Sequence, residues 1–535
     1  MEQPVKSECT AAYVHLPFCK KKCFYCDFPV EAVGKAVTSD HVQARMSDYV
    51  ATLVREILAT TPAQEHSAPL TSIYFGGGTP SLVPPELISV ILKALDSRYG
   101  IAADAEISME ADPGTFDAQR LATYRSLGVS RLSMGVQAFN QETLALCGRA
   151  HDLRDVYRAI EAVSGSGIRS WSLDLMSGLP RLTLPAWEHS LREGIKAGPT
   201  HISVYDLQVE EGTPFDRWYS PGQTPLPPDE TAADMYALAS NLLGSAGYEH
   251  YEVSSYAQPG HRSRHNQVYW SGAPYYAFGV GAASYLGGRR YSRPKTLPAY
   301  AKWVQSFVGG GGGTPGLHIP AESQEERLLD SVMLRLRLSD GLDLRPSSPF
   351  SQDHTREAAA TVWRALQPHL ASGKVQLFDE HGFVIQTAAG SQQSKPGTSE
   401  VPMHSDSGGS DTGHSRSSST SSSSSNSSSS SLEGEASPDT SDTSRSSSTG
   451  DGGELGSGGV LHGADVTQSQ THSSGAGSLA SRATLAGLQS ASRSSSLGPI
   501  PAGVRLSDPH GFLVSNDIIS DVFAAFTLTE STTAA

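Results

Sequence analysis

Cysteine is scarce in this sequence, with 5 residues in 535, and three of them fall in one short stretch, Cys19-Lys-Lys-Lys-Cys23-Phe-Tyr-Cys26. So sparse a set excludes a disulfide framework and points to a reducing compartment in which thiols serve as metal ligands. Long apolar runs are also missing, and none approaches the roughly 18 residues of a membrane-spanning helix. The opening MEQPVKSECTAAYVHLPFC has neither a signal-peptide core nor the Arg-rich pattern of a transit peptide. A cytoplasmic protein with no integral membrane segment is therefore the expectation, with a mitochondrial or plastid home, which would need a transit peptide, as the open alternative. Basic residues are outnumbered, 40 Lys and Arg against 55 Asp and Glu, for a net charge of -15. Without a basic face, a general nucleic-acid partner is excluded.

Apolar residues reach only 38%, but the deficit is local. From residue 387 to 501 the chain is almost all Ser, Gly, Thr and Asp, with a serine run from Ser421 to Ser431 broken only by Asn426. Such a tract buries too little apolar surface to offset its ordering entropy, so a disordered insertion is expected. The remainder is ample for a large core and a small satellite domain.

From Ala11 to Ala257 apolar runs alternate with helical stretches. AAYVHL, LTSIYF, AEISM, RLSMGV, SWSLDLM and HISVYDL read as buried strands, and segments such as DYVATLVREILATT and PPELISVILKALDSRY carry apolar residues three and four apart. Six βα repeats imply a parallel sheet with outer helices, and a partial (β/α)6 barrel is preferred over an open doubly wound sheet. The predicted organisation is a tail at 1–10, the α/β core at 11–258, and a segment at 259–315 ending in a linker at Gly309–Gly313. A small winged-helix-like α+β domain follows in two pieces, 316–386 and 502–528, on either side of the insertion, with a tail at 529–535. Its wing is a hairpin, KVQLFDEHGFVI, turning at Asp379–Gly382.

Three thiolates on one loop after a strand can ligate three irons of a [4Fe-4S] cubane and leave the fourth open. An open iron can chelate the amino and carboxylate groups of S-adenosylmethionine (SAM), with Phe24 and Tyr25 shielding the cluster. A zinc knuckle would need a fourth ligand, from Cys9, His15 or Cys147, and a reactive thiol cluster is the other alternative. Polar residues also recur at strand ends. Gly76-Gly77-Gly78-Thr79-Pro80 lacks the Lys-Ser/Thr of a phosphate loop, so it is either a tight turn or a place of close backbone approach. Glu110, Gln137, Arg149 and Asp174 lie in successive βα units, where four polar groups are hard to assign to helix caps alone.

The segment YVHLPFCKKKCFYCDF resembles the opening of the radical SAM family of oxygen-independent coproporphyrinogen III oxidases and related haem chaperones. The resemblance runs from Tyr13 to about Phe526, omitting the insertion. It implies a cluster on Cys19, Cys23 and Cys26, and SAM held by Tyr13, Tyr25, Gly77, Gly78, Thr79, Glu110, Gln137, Arg149 and Asp174. Glu110 and Asp174 would take the ribose hydroxyls or the amino group, and Gln137 and Arg149 the ribose and carboxylate. It also implies that the winged domain covers the barrel opening.

Three features divide the family. The oxidase branch carries a further cysteine where this chain has Phe28, and an N-terminal extension where only twelve residues precede Tyr13. The segment SRHNQVYW resembles the HNxxYW motif of the chaperone branch, which implies haem contact by His265, Asn266, Tyr269 and Trp270. A structural histidine is the alternative for His265, and His261, His250 and Cys147 remain candidate haem ligands. The expectation is a haem chaperone that delivers haem to acceptor haemoproteins, its enzymatic activity and oligomeric state (a dimer among the options) left open. The alternatives are oxidative decarboxylation of coproporphyrinogen III and a cluster-free scaffold.

Overall fold

The computed structural model describes residues 8–63, 68–345, 348, 350, 356–379, 384–385 and 500–533, with side chains in the last segment through Phe526. Residues 387–499 of the expected disordered insertion, and 380–382 of the turn expected at Asp379–Gly382, lie outside the described residues.

All six expected strands form: β1 (Ala11–Leu16), β4 (Leu70–Gly77), β5 (Ile101–Ala111), β6 (Arg131–Gln137), β7 (Ser170–Ser177) and β8 (His201–Asp206). Short β2 (Phe18–Cys19) and β3 (Glu31–Ala32) pair beside them, and the hairpin β9 (Glu249–Glu252) and β10 (Ser255–Ala257) adds antiparallel strands at one edge. At the other edge β11 (Tyr276–Phe278) runs parallel to β1. The order is β11-β1-β4-β5-β6-β7-β8-β10-β9, so the two edges do not pair and the barrel stays open.

The strands are less uniformly apolar than parallel strands covered on both faces usually are. One face is aliphatic: Val14, Leu16, Ile73, Phe75, Met109, Leu132, Met134, Leu173 and Ile202 are buried against the outer helices. The alternating positions carry Tyr13, His15, Ser72, Tyr74, Glu110, Ser133, Ser172, Asp174 and His201, and bonds cross the strands from Tyr74 to Glu110, from Ser133 to Asp174 and between Ser172 and His201. A period of two places them on a single inner face. That polar face is where the site lies.

Segment 259–315 is tied into the core. Besides β11, it supplies the helix Arg264–Trp270, which packs on β4 and β5, and the helix Leu297–Gly309, which packs on the helix Asp40–Ala59. A buried ion pair fastens it: Arg293 Nε donates to Glu56 Oε1 at 2.7 Å, and Tyr300 donates to Glu56 Oε2 at 2.6 Å. The hairpin β12 (Ala283–Leu286) and β13 (Arg289–Ser292) lies between. The glycine run expected as a linker is instead a helix end docked on the core, with Gly313 N donating to Ala59 O at 3.0 Å. A Cβ on Gly312 would lie 2.2 Å from that carbonyl, which is why the position takes glycine.

The small domain is one four-stranded sheet in the order β14 (Leu342–Asp343), β17 (Gly503–Leu506), β15 (Val375–Phe378), β16 (Val384–Ile385). Strand β17, from beyond the insertion, lies between strands from before it, so the two pieces share one core of Val332, Val362, Leu366, Val504, Ile518 and Val522. Its last helix runs from Ser515 to Thr533, past the boundary expected at 528. The domain meets the core where Ser240 donates to Asp508 at 2.7 Å and His250 Nδ1 lies 2.9 Å from the same carboxylate. Among the described residues no helix is long and apolar enough to cross a membrane.

Candidate functional site

The thiol loop leaves β1 at the end where the parallel strands point. Cys19 closes β2, and its carbonyl accepts from Val33 N at 2.8 Å; Cys26 N donates to Cys23 O at 3.3 Å. Two sulfurs accept hydrogen bonds: Cys19 from Thr79 Oγ1 at 3.5 Å, and Cys23 from Arg149 Nη1 at 3.3 Å. Burial pushes the Cys19 and Cys26 thiols up to about 12. That opposes the free thiolate on which a reactive thiol depends.

Of the other residues weighed as zinc ligands, Cys9 is buried at the start of β1, next to Tyr276. His15 has Nδ1 3.1 Å from Tyr13 Oη and Nε2 3.1 Å from Pro29 O. Cys147 is buried, and its thiol is also pushed up to about 12 by burial. No group of three His, Cys, Asp or Glu among the described residues is gathered as for a single ion. Ligands of a cubane bind separate irons and need not converge.

The glycine segment clasps the thiol loop from below. Gly78 N donates to Leu16 O at 2.9 Å, and Thr79 N to Phe18 O at 2.8 Å. A Cβ on Gly77 would fall 2.5 Å from the His15 ring, and one on Gly78 would fall 2.7 Å from the Pro17 backbone. Close approach to the backbone leading into the cysteine loop accounts for Gly78, and the His15 ring with a φ of 111° accounts for Gly77. Gly76, which the sequence did not single out, faces the pocket: a Cβ there would sit 2.9 Å from Tyr13 and 3.2 Å from Glu110.

The expected SAM residues gather on the polar face. Glu110 accepts from Tyr74 Oη and from Gly77 N, each at 3.0 Å, and burial pushes its carboxyl up to about 7. Asp174 accepts from Ser133 Oγ at 3.1 Å and Ser172 Oγ at 3.3 Å, and burial raises it as well. Tyr13 stacks on Tyr74 with ring centroids 6.2 Å apart. Gln137 has φ 70°, a left-handed conformation unusual for a non-glycine residue and common at functional sites, and its buried Oε1 has no partner.

Arg149 differs most from expectation. Its Nη1 donates to Cys23 and, at 3.0 Å, to Tyr25 Oη; its Nη2 donates to Asp112 Oδ2 at 2.5 Å and Gly135 O at 2.7 Å. Four of five donors are engaged within the protein, and only the buried Nε lacks a partner. A bidentate grip on a cofactor carboxylate would require breaking these bonds. His151 Nδ1 lies 2.7 Å from Asp112 Oδ1. Burial opposes the charge on Asp112, but Arg149 and His151 together outweigh it and hold the carboxyl below its ordinary value. Sequence reasoning missed Asp112, although it stands two residues after Glu110 in MEADPGT.

The segment carrying Arg149 also clamps the loop. Phe24 N donates to Cys147 O at 3.0 Å, and a Cβ on Gly148 would strike the Phe24 ring at 2.9 Å. Trp218 meets the Phe24 ring edge-on at 5.0 Å, and Phe215 lies 6.1 Å from Tyr25. Three buried polar atoms at this mouth lack partners: Gln137 Oε1, Arg149 Nε and His151 Nε2. Together with two hydrogen-bonded thiols they fit a cluster and a polar cofactor, because buried polar groups are otherwise satisfied.

The residues expected to touch haem lie elsewhere. His265 is wholly buried in the Arg264–Trp270 helix, with Nδ1 2.8 Å from Ser72 Oγ and Nε2 2.8 Å from Tyr269 Oη. Its ring stacks on Tyr74 at 5.2 Å, and burial drives its pKa down to about 3. Asn266 N caps onto Ser263 Oγ, and Trp270 packs against Leu334 and Leu338 of the small domain. The helix is a plug at the start of β4, and neither His265 nitrogen is free for iron in this conformation. Of the other ligand candidates, His250 stacks on Tyr256 at 4.0 Å beside Asp508, and His261 lies half-exposed.

The Radical SAM superfamily pattern matches residues 13–193. The chain is 45% identical over 354 residues to the haem chaperone HemW of Synechocystis, covering 66% of this chain and 84% of that protein. It is 40% identical over 281 residues to HemW of Escherichia coli, covering 52% and 70%. Among solved structures, Escherichia coli coproporphyrinogen III oxidase (HemN), a radical SAM enzyme, aligns with a TM-score of 0.58 at 24% identity, covering 72% of this chain and 87% of that one. The last match establishes the fold, and the first two place this chain in the HemW family of radical SAM proteins.

Proposed function

We propose that the protein is a haem chaperone that holds a [4Fe-4S] cluster and SAM and passes haem to acceptor haemoproteins. One observation carries the reading: a half-buried three-cysteine loop sits at a polar strand-end pocket in a chain 45% identical to a haem chaperone over 84% of that protein. Cys19, Cys23 and Cys26 would ligate the cluster, and the pocket would take SAM. Bound there, the pair supplies one-electron reducing chemistry at the SAM sulfonium.

The chain's own residues do the rest. Thr79 and Arg149 direct donors at two sulfurs. Glu110, with its carboxyl pushed up to about 7, can hold or release a proton at its Oε atoms near neutrality. Asp174 offers acceptors suited to hydroxyls, and Gln137 Oε1 is a further acceptor. Phe24, Tyr25 and Phe215 cover part of the loop. Haem ligation at His265 would require one ring nitrogen to give up its partner, Ser72 for Nδ1 or Tyr269 for Nε2. None of the five cysteines is in a disulfide, which suits a reducing compartment such as the cytoplasm.

The test uses the full chain, reconstituted anaerobically. Added haemin should give a Soret band that co-elutes on gel filtration and passes to an apo-haemoprotein. A parallel incubation with coproporphyrinogen III, SAM and a reductant should yield no protoporphyrinogen. Absence of any haem adduct overturns the proposal, and protoporphyrinogen formed together with 5′-deoxyadenosine replaces it with the oxidase.

A further inference from the structure

We propose that Asp112 and His151 are positioning residues that pin Arg149 onto Cys23 and thereby set the reduction potential of a cluster on this loop. The inference rests on the cluster reading above and goes beyond it.

The geometry is that of a brace. Asp112 bridges two donors of one short segment, Arg149 Nη2 at 2.5 Å and His151 Nδ1 at 2.7 Å. Gly135 O receives a second bond from Nη2 at 2.7 Å, so two fixed acceptors lie on the far side of the guanidinium. A planar guanidinium held at two points cannot rotate, and its opposite edge is committed to Cys23 Sγ and Tyr25 Oη. The side chains of Arg149 and Asp112 are 8% and 18% exposed and that of His151 is 0% exposed, so water screens the arrangement poorly. Without Asp112 the guanidinium keeps only Gly135 O on that side and is free to swing.

Hydrogen bonds to cluster sulfurs and local net charge are the main protein controls on potential. A cationic donor at the sulfur favours the reduced cluster, which carries one more negative charge, and so raises the potential. Two effects of losing the Asp112 charge then oppose each other. Removing a carboxylate near the loop raises the potential, and releasing Arg149 from the sulfur lowers it. Arg149 is in direct contact with the sulfur and Asp112 acts through it, so the second effect dominates if Asp112 is a positioning residue. The sign separates the two roles.

The midpoint of the one-electron couple would be measured by EPR-monitored titration of the anaerobically reconstituted full chain, with iron and sulfide content as the control. Arg149→Met should lower it by at least a tenfold change in the reduction equilibrium, about 59 mV for one electron. Asp112→Asn should move it in the same direction, while Asp112→Glu, which keeps the charge, should return it towards the wild type. His151→Gln should lower it by a smaller step, and it stands in if Asp112→Asn does not load iron. An unchanged or raised potential in a loaded Asp112→Asn or His151→Gln protein overturns the proposal. Failure of the wild type itself to bind iron would instead sink the cluster reading, and this inference with it.

Discussion

Replacing His265 by alanine separates a structural role for the HNQVYW helix from a ligand role. The imidazole lies between Ser72 Oγ and Tyr269 Oη, 2.8 Å from each, and flat against Tyr74. Truncation leaves two hydroxyls without their partner, that of Ser72 buried and that of Tyr269 half-buried. A stranded buried group costs about 1–3 kcal/mol, and the space left by the ring adds a cavity term. Partial rescue by hydroxyl rotation reduces the sum, so a loss of about 3–5 kcal/mol is expected. His265→Gln retains a donor and an acceptor of similar reach and should lose roughly half as much.

Urea unfolding of the cluster-free chain by circular dichroism gives the midpoints, and anaerobic haem titration at low urea gives the affinity of the molecules that remain folded. The structural role predicts a large midpoint shift and little change in haem affinity for either variant. A His265→Ala protein within about 1 kcal/mol of the wild type that no longer forms a Soret complex would refute it. His265 would then be a ligand exposed by motion of the plug.

Three further outcomes follow from other parts of the molecule. Gly78→Ala should sharply reduce iron per chain after reconstitution without unfolding the sheet, because its Cβ would meet the Pro17 and Phe18 backbone at 2.7–2.9 Å and force the cysteine loop to shift. Glu56→Gln, which leaves buried Arg293 without its counter-ion, should cost about 3–5 kcal/mol in urea unfolding. Acid should also weaken the fold through His15 and His265, whose pKa values burial lowers to about 4 and about 3 from 6.5. The unfolded chain then binds more protons below pH 6.5, so their contribution falls as pH drops from 6.5 through those values, by up to about 1.4 kcal/mol per unit for each histidine. Glu110, with its raised pKa, acts in the opposite sense between 4.5 and about 7. The stability difference between wild type and His265→Gln, followed from pH 7 to pH 5, isolates the histidine and should narrow.

The six main strands were legible because each keeps an aliphatic face, as in Leu132, Met134 and Val136, whichever residues occupy the other. The polar alternates, Ser133 and Gly135, look like noise in an apolar run until neighbouring strands place them opposite Ser172 and Asp174. Strand β11 has three residues and no readable period; only its register against Ala12 to Val14 makes it a strand. The glycine run resembled a linker because composition cannot distinguish glycine chosen for freedom from glycine forced by contact, as Gly312 is by Ala59. The split small domain was legible because the apolar pattern resumes at Val504. That β17 becomes an inner strand is a matter of long-range pairing.

Arg149 marks the limit of reading a site from spacing. An arginine at this place in the family suggests a fork for a carboxylate, and the chemistry of that pairing is sound. The protein, however, contains its own carboxylate for the guanidinium, Asp112, which lies 37 positions earlier in the chain. Once Asp112 and Gly135 occupy one edge and Cys23 and Tyr25 the other, the guanidinium has a single N–H left to offer. That N–H, on the buried Nε, is what the residue has left for a ligand while its Nη1 is bonded to the sulfur. The same competition explains the plug helix: His265 has two nitrogens capable of ligation, and Ser72 and Tyr269 have taken both. A motif specifies which atoms are capable of a bond, and only the packed structure decides which partner reaches them first.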